Sequence, residues 1–173
     1  MFTRLQHQSG AVLVISLVML LALTLIGITG TQTTSLEEKM AGNWRDKNLA
    51  FQAAESALTA GEIAAAAAPA IACPGANPAG YYLPLDLNCD GIKEATAVWD
   101  NAAIWSDDTK SVKYTVDLAN LSASPRYIIE DMGATDCPGS AIGALDCNNY
   151  RITARATGGS TDTVVMVQSI LQI

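Results

Sequence analysis

The chain has 173 residues, of which 50% are apolar, and its formal net charge is −7. This length accommodates one compact domain in addition to a membrane segment. The surplus of acidic residues excludes the basic stripe that nucleic-acid binding requires, so we expect no nucleic-acid partner.

The N-terminus combines a short polar leader with an uncharged apolar run. The leader, residues 1–10, ends in the small residue Gly10, and the run from Ala11 to Ile28 contains no ionisable side chain. As an α-helix, residues 11–30 would extend about 30 Å, the thickness of a bilayer's hydrocarbon core. An ordinary secretory signal is cut after its apolar part, whereas the small residue here precedes it. We therefore expect cleavage after Gly10 with the run retained. An uncut signal anchor and cleavage after Thr29 are the alternatives.

Charges on either side of the run predict its orientation. Arg4 precedes the run, and the first ionisable residues after it are Glu37 and Glu38. The positive-inside rule then places the N-terminus in the cytoplasm and the remainder of the chain outside the membrane.

Helical character continues beyond the membrane segment. We divide the predicted helix into a membrane-spanning half, residues 11–35, and an amphipathic half, residues 36–68, which ends before Pro69. Within the first half, Gly27 and Gly30 permit close contact between helices. The second half carries a stripe at three- and four-residue steps, formed by Leu36, Met40, Trp44, Lys47, Phe51, Ala54, Leu58 and Gly61.

Residues 69–173 form the predicted head, which contains all four cysteines. An even number of cysteines outside the membrane predicts two disulfides in an oxidising compartment. Of three connectivities, the sequence-local one is the simplest, and it pairs Cys73 with Cys89 and Cys137 with Cys147. Zinc binding is the alternative; it lacks the usual support, because the chain has no CxxC dyad and its one histidine, His7, lies in the leader.

Four segments of the head have strand patterns: Val112–Leu118, Arg126–Glu130, Tyr150–Ala156 and Thr163–Ile173. Their close spacing predicts an antiparallel meander with an apolar face that needs a cover. The amphipathic half of the helix is the available cover. The sequence therefore predicts an α+β fold in which a long N-terminal helix packs on a small antiparallel sheet of about four strands.

One loop of the head has part of a calcium-binding pattern. Oxygen ligands fall at positions 1, 3, 5, 7 and 9 of this pattern, supplied by Asp86, Asn88, Asp90, Ile92 and Glu94. Position 12, normally a bidentate acid, is Ala97. We favour an Asx-rich turn beside a disulfide over a weakened calcium site, because the strongest ligand is missing. We expect no cofactor, with calcium as the open alternative.

Catalytic chemistry has little support in the sequence. After cleavage at Gly10 the chain would contain no histidine, which excludes histidine-based triads and histidine metal sites. The acidic residues are scattered, and an adjacent pair in the head, Asp107-Asp108, is most simply a solvated turn. We expect a protein that is not an enzyme.

The whole pattern resembles type IV prepilins, which have class III signal sequences, and more narrowly the PilX-type minor pilins. The resemblance rests on the leader ending in Gly10, the apolar run, the segment LEEKMAGNWRDKNLAFQAAESAL from Leu36 to Leu58, and the closing segments RYIIE and YRITARATGG. It implies a pilin-like fold. It also implies cleavage after Gly10 by a prepilin peptidase and N-methylation of Ala11.

Two features depart from the pattern of many pilins. The first mature residue is Ala11 rather than phenylalanine, and the fifth is Ile15 rather than the glutamate thought to pair with the amino terminus of a neighbouring subunit. An intramembrane carboxylate is expensive and is kept for function, so Ile15 implies that this docking pair is absent. A subunit at the fibre tip has no earlier subunit on which to dock, which leads to the hypothesis of a priming or tip position.

The resemblance implies an inner-membrane protein with a periplasmic head before assembly and a pilus subunit, at the tip, afterwards. The implied partners are membrane lipid, prepilin peptidase, other minor pilins such as PilV- and PilW-like proteins, the major pilin and a tip adhesin. Two alternatives remain open: a K-like tip pseudopilin of a type II secretion system, and a membrane-tethered binding domain that never polymerises. Whether the fibre serves motility, adhesion or DNA uptake is also open.

Overall fold

The computed structural model describes residues 9–67, 78–115, 118–139, 141, 143 and 147–173. Helix α1 spans Ser9–Ala66, and two 3₁₀ helices span Val98–Asp100 and Ala102–Ser106. Five strands complete the elements: β1 (Tyr81–Tyr82), β2 (Val112–Lys113), β3 (Arg126–Thr135), β4 (Cys147–Thr157) and β5 (Val164–Gln172). The chain divides into two compact units between Trp44 and Arg45, which we call the N-terminal unit and the head unit.

The strands of the head unit form one sheet in the order β1-β3-β4-β5, and β2 also pairs with β3. Strands β3, β4 and β5 form an antiparallel meander, in which Arg126 is opposite Arg155 and Ile152 is opposite Ser169. The two short strands pair with β3 as well, β1 in parallel and β2 antiparallel. The predicted α+β, pilin-like architecture is thereby confirmed.

The sheet differs in detail from the predicted antiparallel sheet of about four strands. Among the described residues it has five strands and is mixed, because β1 runs parallel to β3. A strand of two tyrosines is too short to show a two-residue period, so its sequence resembles the surrounding loop. The first predicted strand, Val112–Leu118, is regular only at Val112–Lys113 among its described residues. The helix ends at Ala66, two residues before the predicted boundary.

The helix covers the sheet with three members of the predicted stripe, Ala54, Leu58 and Gly61, and with alanines beside them. Leu58 is buried as predicted, but Phe51 is 47% exposed. Leu36, Met40 and Trp44 belong to the N-terminal unit and are also exposed. The buried face of α1 consists of Ala50, Ala53, Ala54, Ala57, Leu58 and Ala65. It packs on the sheet side chains Tyr127, Ile129, Tyr150, Ile152, Ala154 and Ala156. Small side chains let the helix backbone approach the sheet closely.

The opposite face of the sheet carries a second layer that the sequence analysis did not predict. Val98, Ile104 and Trp105, from the two 3₁₀ helices, are buried against Tyr82 and Ile128. The indole N–H of Trp105 donates to the carbonyl oxygen of Trp99 over 3.0 Å. Both faces of β3 are therefore buried, which explains why its residues 127–130 form an unbroken buried run.

Gly61 marks the closest approach of the helix to the sheet. A Cβ atom at this position would lie 2.6 Å from Cγ2 of Ile152 and 3.1 Å from the ring of Tyr127. Neither Ile152 nor Tyr127 has free space around it, because both belong to the main core cluster. Glycine is therefore required here by packing, although it lowers helix propensity.

We predict that Gly61→Ala lowers the free energy of unfolding of the head by about 1–3 kcal/mol, because the added methyl overpacks the core. Thermal denaturation of the full chain in detergent, followed by the near-UV signal of the tryptophans, measures the change. Gly42→Ala is the matched control, since a Cβ there meets no atom within 4 Å. Equal melting temperatures for the two variants would contradict the assignment of Gly61 as a contact point.

Candidate assembly surface

The apolar run of α1 presents a large unpartnered surface. Every large apolar side chain from Val12 to Ile28 is more than half exposed, on all sides of the helix. Among the described residues, α1 is the helix whose length and apolar composition suffice to cross a membrane, and its most apolar window has a mean hydropathy of 2.9. A helix that is apolar all round requires lipid or other protein around it.

The hydroxyl groups of Ser16 and Thr24 in this run, and that of Thr29 directly after it, bond within the helix. The hydroxyl of Ser16 donates to the carbonyl oxygen of Leu13, and that of Thr24 donates to the carbonyl oxygen of Leu21. Thr29 donates to the carbonyl oxygens of both Leu25 and Ile26 at 3.1 and 2.9 Å. Hydroxyls that bond to the preceding turn carry no unpaired donor into an apolar environment. The run is therefore compatible with lipid or with close packing against other apolar helices.

The predicted processing and assembly residues all lie on this helix. Gly10 and Ala11 are exposed in its first turn, and Ile15 is 60% exposed. Residues 1–8 of the predicted leader are outside the described residues. At Gly27 and Gly30 an added Cβ would meet no atom within 4 Å, so the chain's own packing does not require glycine there. Their role in contacts with other helices and the cleavage at Gly10 stay predictions.

A disulfide closes the end of the β3–β4 hairpin. Cys137 and Cys147 are bonded, with their Cα atoms 5.1 Å apart. Cys147 is the first residue of β4 and is opposite Thr135, the last residue of β3. Cys89 is also disulfide-bonded. Its predicted partner, Cys73, lies outside the described residues, so that pairing stays a prediction.

The predicted calcium-loop residues bond to their own loop. The carboxylate of Asp86, which is 3% exposed, accepts the backbone N–H groups of Asp90 and Gly91 at 3.2 and 3.0 Å. Asp90 accepts the N–H of Ile92 at 2.8 Å. The carboxylate of Glu94 accepts the N–H of Leu87 at 2.7 Å and the side-chain amide of Asn88 at 3.0 Å.

This arrangement is that of an Asx-rich turn rather than a metal cage. Within the part of the chain that the structure describes, no group of three or more His, Cys, Asp or Glu residues is placed to hold a metal ion. The carboxylates of Asp86, Asp90 and Glu94 accept N–H groups of their own loop, and calcium binding there stays an open alternative. That the chain needs no cofactor stays a prediction.

A charged cluster that the sequence analysis missed joins the sheet to the second layer. Glu130 has a fully buried side chain, and its two oxygens accept from Nε and Nη2 of Arg151 at 2.9 and 2.7 Å. The guanidinium of Arg151 lies 4.0 Å from the ring centroid of Trp99. Burial raises the pKa of Glu130, whereas Arg151 opposes that shift. The pairing depends on the β3–β4 register, so no spacing along the sequence indicates it.

The β4–β5 turn is attached to the helix at Asp46, near the start of the head unit. The carboxylate of Asp46 accepts the N–H of Gly159 at 2.5 Å. A hydrogen bond from the side chain of Thr163, together with N–H groups of the turn, holds the pKa of Asp46 below its usual value. At Gly158, an added Cβ would lie 2.7 Å from the backbone oxygen of Asp46. This contact leaves no room for a side chain at that turn.

We predict that Asp46 makes the stability of the head sensitive to acid. Because its pKa is lowered on folding, its contribution is present above the unfolded value of about 3.8 and is lost as the pH falls through the folded pKa. Asp46→Asn should lower the melting temperature at neutral pH and flatten the acid limb of the stability curve below about pH 4. Melting curves from neutral pH to about pH 2 measure this effect, with Asp162→Asn in the same turn as the matched control. An unchanged acid limb in Asp46→Asn would contradict the prediction.

Comparison with known protein families gives a match over the N-terminal helix. A family model described as PilX N-terminal matches residues 9–59, which cover most of α1. No curated protein and no solved structure matches the chain. The matched segment contains the apolar run and the start of the alanine face that packs on the sheet. Over this segment the chain is similar to the PilX N-terminal family, which agrees with the resemblance to type IV pilus minor pilins of the PilX type.

Proposed function

We propose that this chain is a minor pilin in a complex that primes assembly of the pilus and stays at its tip. The observation that carries the proposal is Ile15, the fifth residue after the predicted cleavage site. Its side chain is 60% exposed in a run without any ionisable residue, so this position offers no carboxylate to the amino terminus of an earlier subunit. A first subunit has no need of that pair.

The apolar run supplies the means of assembly in this proposal. Lipid surrounds it before assembly, and the helices of the major pilin and of other minor pilins surround it afterwards, so it need not enter water on the way. Each large apolar side chain kept from water contributes about 1.5–3 kcal/mol. Transfer between two apolar environments leaves this contribution nearly unchanged, and small residues such as Gly27 and Gly30 allow close helix packing.

In this proposal the head selects the proteins that the chain binds, and a tip adhesin is one of them. It carries twelve acidic and six basic residues after Pro69, and it is held by the disulfide between Cys137 and Cys147. Its role is structural and not catalytic. A K-like pseudopilin is less well supported, because such proteins have a large helical insertion in the head. The described residues after α1 contain only 3₁₀ helices of three and five residues.

We predict that the mature chain begins at N-methylated Ala11 and that Gly10→Val blocks its maturation. Mass spectrometry of the purified amino terminus distinguishes the two forms. The Gly10→Val chain should keep Met1 and fail to enter fibres, whereas Gly42→Ala, a control in the same helix, should mature normally. A wild-type chain that begins after Ile28 would contradict the proposal, because the helix that assembles would be lost.

The tip position predicts a particular distribution on the fibre. Immunogold labelling of sheared pili should mark one end, and a deletion should abolish surface pili unless retraction is also removed. Labels spread evenly along the shaft would contradict a priming or tip role. They would leave membership of the minor pilin family untouched.

A further inference from the structure

Strand β5 is a long, regular edge of the sheet. Its nine residues pair with β4 in consecutive register, from Val164 opposite Thr157 to Gln172 opposite Asn149, without a bulge. The strand contains no proline and no ionisable side chain. Proteins usually protect sheet edges with lysine, proline, bulges or very short strands. The opposite edge has that protection, since β1 and β2 are two residues each.

The hydrogen bonds at both ends of the ladder fix which backbone groups are free. Gly158 donates its N–H to the carbonyl oxygen of Thr163 at 2.9 Å, and Asn148 and Ile173 exchange two bonds of 2.8 and 2.9 Å. Bonded pairs alternate along an antiparallel ladder, so the odd-numbered residues of β5 bond to β4. The even-numbered residues direct their N–H and C=O groups away from the sheet: Val164, Met166, Gln168, Ile170 and Gln172. Among the described residues, none bonds to these outward groups.

The side chains at the same positions leave the edge accessible. Ile170 is 72% exposed, and Val164 and Met166 are 43% and 39% exposed. The amide of Gln168 donates to Thr153 on β4 at 2.9 Å, so it lies over the sheet rather than across the edge. A strand added here would supply hydrogen-bond partners for the outward N–H and C=O groups of five residues. It would also cover the exposed apolar side chains.

Charge identifies the kind of strand that fits. The head is acidic, but residues 164–172 carry no charge, so a charged segment would lose hydration here without meeting an opposite charge on β5 itself. An uncharged segment with alternating apolar side chains meets no such penalty. We propose that β5 is a docking edge at which such a segment, from another minor pilin of the same assembly, adds to the sheet as a sixth strand. This inference rests on the proposed function.

Residue-resolved hydrogen exchange of the full chain tests the proposal, in detergent alone and in complex with the minor pilins encoded for the same pilus. In the chain alone, the odd-numbered amides of β5 should exchange slowly and the even-numbered ones quickly. In the complex, the even-numbered amides should slow about tenfold or more, because they gain hydrogen-bond partners. Even-numbered amides that exchange equally fast in both samples would overturn the proposal.

A pair of charge variants tests the same edge through affinity. Met166→Lys combined with Ile170→Lys should weaken binding to the other minor pilins about tenfold or more, because lysine at an edge opposes strand addition. Ile63→Lys is the matched control, since Ile63 is 70% exposed on α1 and should bind normally. Slow exchange of the odd-numbered amides shows that a variant keeps its sheet. Equal affinity of the double variant and the control would also overturn the proposal.

The outcomes separate this inference from the proposed function. A complex that forms without protection of β5 overturns the docking edge and leaves the priming or tip role standing. Failure of the wild-type chain to join the other minor pilins overturns both. Protection that rises with the concentration of the chain alone would assign the edge to a second copy, which also overturns the proposed partner.

Discussion

The central physical constraint on this protein is an apolar helix surface that water solvates poorly. The side chains from Val12 to Ile28 are apolar on every side, and the hydroxyls among them bond within the helix. Such a segment must always have lipid or protein around it. The same property suits both membrane anchoring and the proposed subunit assembly, and the family match over residues 9–59 agrees with that use.

The second half of α1 packs on the sheet of the head mainly through small residues rather than large apolar ones. Its contact face is built from alanines and from Gly61, which is too close to Ile152 to accept a side chain. Small residues give close backbone approach and good packing with little side-chain entropy lost. The large apolar residues Leu36, Met40 and Trp44 remain exposed.

The head combines a rigid centre with one open edge. Strand β3 is covered on both faces, and the buried pair of Glu130 and Arg151 ties the sheet to the second layer through Trp99. The turn before β5 is fixed to α1 by Asp46. These contacts hold β5 in a regular conformation, and within the described part of the chain no group bonds to its outer backbone. A firmly held edge strand is well suited to recognition by strand addition.

The sequence by itself determined the features that depend on local order. The uncharged run from Ala11 to Ile28, the length of the helix and the strands β3, β4 and β5 all follow from periodicity or composition, which neighbouring residues set together. The tertiary structure alone decided the features that depend on pairing across the chain. These are the parallel strand β1, the close contact of Gly61 with Ile152, the Glu130–Arg151 pair and the orientation of the β5 edge. Each joins residues far apart in the sequence, so its physical cause, a close packing distance or a ladder register, does not appear until the chain has folded.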